Sequence, residues 1–465
     1  MKASLLAPES TGGDTARDGF GYQDAYVLQN LPLFLFQPAF SHVVSEATGD
    51  VEICYFGGGG LTVRTFIEAK GGAALSWGDF WKEIEQFKKV FDTSPAEFPR
   101  FVLVCRDFNS RTSPLVEMVG RVRGVGRSYD ATSPMLTGSH EEIIAWGIEK
   151  GLSEEMMTFI LGHVAFETYA DESAQSAFQG ELTKHLPSLD LRSSDIAAFR
   201  LMCLELVSRS SRQPVHRAEI EAALSKVLGR DASLWAQTPT PLHLDGRVPP
   251  FALGLDATAF NGPGRDCLSA EDWWRAQERL EEIGTFVRQS RQRAAVALSA
   301  KQRMSLACTL GFVFSATRGF ILDVEHNGGR MRTDDHSQGV EQFFSVQTVQ
   351  GAGAGAEGVA TISFPTGMAN DVTAGIAANL ASGHALHLVS ARAVDGIATM
   401  NKAVAETKAA LVSFRSRHRL EVIHLFIKGP SHFAMMLGHR LNGVCRLQLY
   451  DWVAGRYVPT ALLGD

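Results

Sequence analysis

Apolar and polar positions alternate most tellingly between Asp50 and Lys70, in DVEICYFGGGGLTVRTFIEAK. Two apolar-rich runs are separated by four consecutive glycines, Gly57 to Gly60, a pattern that predicts a β-hairpin. Before it, GFGYQDAYVLQNLPLFLF carries Phe20, Tyr22, Tyr26, Val27 and Leu31 at helical spacing, with a break or kink expected at Pro32. Residues 1–17 are small and polar and are expected to be loosely ordered. After the hairpin, WGDFWKEIEQFKKVF repeats Phe80, Ile84, Phe87 and Phe91 at intervals of three and four, which predicts an amphipathic helix. FVLVC (101–105) reads as a buried strand. Helix, hairpin, helix and strand in that order predict an α/β arrangement.

From 139 to 228 the pattern is almost wholly helical, with SEEMMTFILGHVAFETYA read as one of the helices, and predicts a helical appendage to the first domain. Residues 231–268 turn rich in proline and glycine and mark a boundary, so the expected domains are 1–230 and 231–465. Two long helices are then expected, EDWWRAQERLEEIGTFVRQSRQRAAVAL and KQRMSLACTLGFVFSA, followed by the strand GFILDVEH and a loop at GAGAGAEG. The last ninety or so residues alternate cleanly between helix and strand, through ALHLVS, LEVIHLFIKG and VCRLQLYDW, which predicts a parallel Rossmann-like sheet. The segment from Lys301 to about Phe364 is expected to be a looser version of the same unit.

Composition narrows the class without naming it. With 465 residues, 45% hydrophobic and 20% charged, the chain is an ordinary globular protein too long for one core. A formal net charge of −7 argues against a uniformly basic nucleic-acid coat but leaves room for a local groove, for which Arg100, Arg106, Arg111, Arg121, Arg123 and Arg127 are candidates. Six cysteines are scattered without a CxxC pair, as expected of reduced thiols, and no run is long enough for a signal peptide or a membrane span. A cytoplasmic protein with no membrane partner is expected.

Two places carry candidate chemistry. In a hairpin the start of one strand lies beside the end of the next, and side chains two apart share a face, so Asp50, Glu68 and Lys70 converge. Two carboxylates can hold a hard divalent cation and an ammonium stands beside them, a constellation suited to metal-assisted phosphodiester hydrolysis; charged strand ends are also ordinary solvated positions. The second place is the strand-to-helix turn Lys428-Gly429-Pro430-Ser431, where open α/β sheets bind ligands and a helix start attracts anions. Lys428 would add charge for a phosphate, and His432 or Phe433 could stack on a base, although Gly-Pro-Ser is also an ordinary helix-starting turn. The histidines lack partners at zinc spacing, and neither GxSxG nor HExxH is present.

The order GxGYQ (Gly19 to Gln23), Asp50, Glu68-Ala69-Lys70 and then an amphipathic helix resembles the PD-(D/E)xK restriction-endonuclease core, without a proline before Asp50. That resemblance implies Asp50 and Glu68 as ligands of Mg²⁺ (or Mn²⁺), the Ala69 carbonyl as a further donor, Lys70 as catalytic and Gln23 as an active-site amide. Glu46 or Glu52 could substitute as a ligand. The HLF run (His424 to Phe426), the Gly-Pro turn, Leu437-Gly438, the closing Leu449-Tyr450-Asp451, LGFVFSATRGF and RTDDH together resemble the SAVED domain, a sensor of two fused CARF-like Rossmann-type halves. A nuclease followed by SAVED resembles the CD-NTase-associated protein 4 family over nearly the whole chain. The resemblance implies an antiphage-defence effector that cuts double-stranded DNA once a cyclic oligonucleotide binds, most often a trinucleotide made by a CD-NTase, with ligand-driven homo-oligomerisation. It places ligand contacts at Ser390 and Arg392, at Lys428, Gly429, Pro430 and Ser431, and at Arg318 or Thr333. Two alternatives stay open: a non-catalytic effector that only binds nucleotide and assembles, and an enzyme that degrades the cyclic nucleotide, for which no general base is evident beside Lys428.

Overall fold

A computed structural model describes residues 8–45, 48–130, 132–169, 174–185, 191–209, 213–229, 239–291, 293–326, 328–351, 355–376, 378–381 and 383–464. The chain divides into two compact units, Met1–Asp231 and Ala232–Asp465.

The first unit opens with α1 (Pro8–Phe36), which starts earlier than its apolar spacing suggested and continues through Pro32. β1 (Phe40–Ser45), β2 (Val51–Gly58) and β3 (Leu61–Lys70) follow, and the β2–β3 turn is the glycine run, with Gly58, Gly59 and Gly60 all at positive φ. Side chains are strained in that conformation, so glycine is what lets the strands reverse in two residues. Then come α2 (Trp77–Thr93), β4 (Arg100–Cys105), α3 (Ser113–Val125), α4 (Pro134–Glu149), α5 (Glu154–His163), β5 (Val164–Thr168), α6 (Ala174–His185), α7 (Ser193–Ser208), β6 (Val215–His216) and α8 (Arg217–Leu228). The sheet runs β5-β4-β3-β2-β1-β6, with β3 parallel to β4 and antiparallel to β2. The expected all-helical appendage is therefore interrupted: VAFET leaves its helix and becomes the edge strand beside β4. Five residues without period cannot be told from helix by sequence alone, and only the open edge of β4 decides them.

The aromatic residues of α2 build the core. Ser76 caps the helix by accepting the Asp79 N–H, and Phe80, Ile84 and Phe87 are fully buried against Phe66 of β3 and Phe101 of β4. Phe87 stacks on Phe101 with ring centroids 5.1 Å apart.

The second unit contains two sheets. β7 (Thr240–His243), β8 (Leu253–Gly254), α9 (Thr258–Asn261), α10 (Ala270–Ser290), β9 (Ala295–Ser299), α11 (Met304–Val313), β10 (Ile321–His326) and β11 (Gly329–Arg332) form the first half, with strand order β11-β10-β9-β7-β8. β12 (Ser345–Val349), β13 (Glu357–Ser363), α12 (Ala369–Gly375), α13 (Ala378–Ala381), β14 (His384–Val389), α14 (Ile397–His418), β15 (Val422–Lys428), α15 (Ser431–Gly438), β16 (Arg446–Val453) and β17 (Arg456–Leu463) form the second, ordered β12-β14-β13-β15-β16-β17. Two expectations are corrected. The long helix from Glu271 ends at Ser290, and AVALS becomes a parallel strand between β7 and β10. The first half spans Thr240–Arg332, not Lys301–Phe364, because β13 pairs with β14 and β15 at the centre of the second sheet.

The halves meet through α11 and α15, which cross at a pair of glycines. A Cβ on Gly311 would strike the Met435 carbonyl, and one on Gly438 would strike the Cys308 carbonyl. Backbones approach this closely only where both crossing positions lack side chains. Met435 and Met436 are buried there, as core.

Candidate active site and ligand pocket

β3 ends where β2 begins, so the register Val51↔Ile67 brings Asp50 beside Glu68-Ala69-Lys70. Asp50 Oδ2 accepts the Ala69 N–H at 2.8 Å, and the Gln23 side chain of α1 also donates to Asp50. Ala69 thus contacts Asp50 through its N–H. α1 comes this near because of Gly71, where a Cβ would lie 2.7 Å from the Tyr22 ring. Glu68 and Lys70 point to the α2 face, where the Lys70 ammonium donates to Glu68 and lies 3.2 Å from Glu83 of α2.

The structure brings together the five expected residues, Gln23, Asp50, Glu68, Ala69 and Lys70, and adds Glu83. Glu83 sits three residues after Phe80 and four before Phe87, on the apolar stripe of α2, and a carboxylate interrupting that stripe was the signal for it. Glu52 is committed elsewhere: it is 2% exposed, accepts the Thr48 N–H and pairs with Arg64 at 3.3 Å. Glu46 lies outside the described residues.

The electrostatics are those of a crowded acidic notch. Burial pushes the Asp50 carboxyl up to about 6, the Glu68 carboxylate adds to the rise, and the Ala69 N–H, Lys70 and Gln23 oppose it. Glu83 is also raised, by burial first, against the pull of Lys70. Burial works against the Lys70 charge, but the hydrogen bond to Glu68 and the charges of Glu68, Glu83 and Asp50 hold it above its ordinary value. A carboxylate whose ionisation is resisted by a neighbouring carboxylate has unmet demand for positive charge, so Asp50 and Glu68 fit a hard divalent cation.

In the second unit a cleft of about 870 Å³ opens between the halves. Arg265, Arg303 and Met304 line it from the first half, and Lys428, Gly429, Trp452 and Arg456 from the second. Trp452 is 52% exposed, with its ring 4.7 Å from that of Tyr457 across the Ala454-Gly455 turn. Of the expected contacts, Lys428 and Gly429 face this cleft. Pro430 caps α15, and the Ser431 hydroxyl donates to the Ala300 carbonyl. The others lie apart. Ser390 is buried, with its hydroxyl accepting the Arg392 N–H, and Arg392 pairs with Glu341 at 2.8 Å. Thr333 is buried and accepts the Leu322 N–H, while Arg318 pairs with Glu281 beside a separate cavity of about 250 Å³. His432 and Phe433, expected to offer a stacking face, are 2% and 0% exposed, the first against His326 and the second against Phe364. Sequence reasoning missed Arg265, Arg303, Trp452, Arg456 and Tyr457; the aromatic and basic residues flanking the glycine turn in DWVAGRY were the available signal.

Comparison with known proteins gives the two units their class. Residues 11–211 match the family described as "Cap4, dsDNA endonuclease domain", and residues 280–463 match the "SMODS-associated and fused to various effectors sensor domain", SAVED. The chain therefore carries a double-stranded DNA endonuclease domain and a SAVED cyclic-oligonucleotide sensor domain. It is 44% identical over 464 residues to CD-NTase-associated protein 4 of Moraxella osloensis, covering 100% of both chains. Among solved structures, the Acinetobacter baumannii Cap4 SAVED/CARF-domain containing receptor with the cyclic trinucleotide 2′3′3′-cAAA superposes with a TM-score of 0.88 at 40% identity, covering 96% of this chain and 99% of that one. The Moraxella osloensis Cap4 receptor superposes with a TM-score of 0.82 at 42% identity, covering 97% and 100%. The chain belongs to the CD-NTase-associated protein 4 family.

Proposed function

We propose that this chain is an antiphage-defence effector whose first unit cuts double-stranded DNA, with a divalent metal, when a cyclic oligonucleotide occupies the second. The observation that carries the catalytic half is the convergence of Asp50, Glu68 and Lys70 at one strand end, with Asp50 pushed up to about 6 by burial and by Glu68. Asp50 and Glu68, with the Ala69 carbonyl, would hold Mg²⁺ or Mn²⁺, which when bound supplies Lewis-acid activation of the phosphodiester. Gln23 and the Ala69 N–H orient Asp50. The Lys70 ammonium donates to the phosphate under attack and opposes the negative charge that builds there.

For the sensor, Arg303, Lys428 and Arg456 supply positive charge for the phosphates of the ring, and the exposed face of Trp452 is a stacking surface for a base. Relatives bound to 2′3′3′-cAAA and 3′3′3′-cAAA support a cyclic trinucleotide as ligand. Ligand-driven association of copies and the domain limits 1–230 and 231–465 belong to the same proposal. The test is to incubate the full chain with plasmid, Mg²⁺ and a panel of cyclic di- and trinucleotides. Loss of plasmid with one ligand only, abolished by Lys70→Ala, is expected. Binding without cleavage would make the chain a non-catalytic assembly effector, and consumption of the nucleotide would make it a degrading enzyme.

A further inference from the structure

Glu83 and Glu68 grip Lys70 from different elements. Glu68 is two residues away on β3, whereas Glu83 hangs from α2, between Phe80 and Phe87, both 0% exposed in the core. Its carboxylate lies 3.2 Å from the ammonium, and the Lys70 and Glu83 side chains are 30% and 20% exposed. A helix anchored by two buried aromatic rings holds that carboxylate from a different element than the one that carries Glu68 and Lys70.

The two carboxylates differ in what loading the site does to them. Under the metal-dependent reading above, on which this inference rests, Glu68 would give its charge to a bound cation and would no longer hold the neighbouring ammonium. Lys70 would then be without its partner on β3. A lysine has a flexible four-carbon stem and would turn toward solvent without a second anchor. We propose that Glu83 is a positioning residue that retains Lys70 at the loaded site and keeps its ammonium aimed at the phosphate.

The experiment compares Glu83→Gln, Glu83→Asp and Glu68→Gln in the full chain with wild type. Ca²⁺-induced shift of the melting temperature reads occupancy of the carboxylates. Plasmid cleavage with Mg²⁺ and 2′3′3′-cAAA or 3′3′3′-cAAA, whichever activates wild type, gives kcat and KM for DNA. Glu83→Gln is expected to keep the Ca²⁺ shift and KM and to lose kcat by roughly 10- to 100-fold, the order expected of a catalytic group misplaced by about 1 Å. Glu83→Asp, which keeps the charge, is expected to recover most of that loss. An intact Ca²⁺ shift in Glu83→Gln also certifies that the variant is folded. Wild-type kcat in Glu83→Gln overturns the proposal. So does loss of the Ca²⁺ shift to the extent seen in Glu68→Gln, which would make Glu83 a ligand, and so does a Glu83→Asp as slow as Glu83→Gln. A wild-type chain that cuts under none of these conditions would instead sink the nuclease mechanism itself, and this inference with it.

Discussion

Replacing Asp50 by asparagine tests the electrostatics of the notch without any substrate. Burial and Glu68 move the Asp50 carboxyl from 3.8 up to about 6. A shift of about 2 units at 1.36 kcal/mol each sets an upper bound of about 3 kcal/mol. Solvent reaches one side of this partly exposed group, so about 1–2 kcal/mol is the expected size. The sign follows from linkage. An acid raised in the folded state binds its proton more tightly when folded, so stability is highest below about pH 4, falls as pH climbs to about 6, and stays lower above. Asparagine cannot ionise, and its side-chain oxygen can still accept the Ala69 N–H. Asp50→Asn should therefore raise the melting temperature of the endonuclease unit at pH 8, in the presence of a chelator, by about 3–6 °C, at roughly 2–4 °C per kcal/mol for a unit of this size. The difference should vanish by about pH 4. Circular dichroism melts of wild type and variant across that range, in matched buffers, measure it. Mg²⁺ should then raise the melting temperature of wild type and leave the variant unchanged. An equal difference at both ends of the pH range, or a variant less stable at pH 8, would refute the reasoning.

Other perturbations separate the remaining elements. Lys70→Ala should abolish plasmid cleavage while preserving a Ca²⁺-induced melting shift; cleavage at the wild-type rate would remove Lys70 from the catalytic set. Chelating divalent ions should stop cleavage, and Mg²⁺ or Mn²⁺ should restore it in the same sample. Trp452→Ala should weaken binding of the activating cyclic trinucleotide by roughly 10- to 100-fold in a titration, the size of one base-stacking contact of about 1–3 kcal/mol, and Lys428→Ala should raise the ligand concentration needed for cleavage. Gly438→Val should destabilise the sensor unit by about 1–3 kcal/mol or more, because its side chain meets the Cys308 carbonyl, and calorimetry of the full chain should show that loss.

The endonuclease core was legible along the chain because its determinants are local. Four glycines force the reversal, and a period of two puts Glu68 and Lys70 on one face. The spacing of Phe80, Ile84 and Phe87 then covers that face with a helix. Where a short apolar run had no period of its own, as in VAFET and AVALS, the sequence favoured extending the preceding helix, and pairing with a neighbouring strand decided otherwise.

Sequence by itself therefore determined the strand ends that carry Asp50, Glu68 and Lys70, and the alternation that builds the second sheet. Tertiary structure alone decided which carboxylate of α2 reaches Lys70, and which side chains face the cleft between the sensor halves. Lys428 and Trp452 are brought together by the pairing of β15 with β16, and Arg265 and Arg303 face them from the other half, which packs on theirs where α11 and α15 cross at Gly311 and Gly438. A local period fixes the face on which a residue sits; the surface that face meets is set by packing between distant segments.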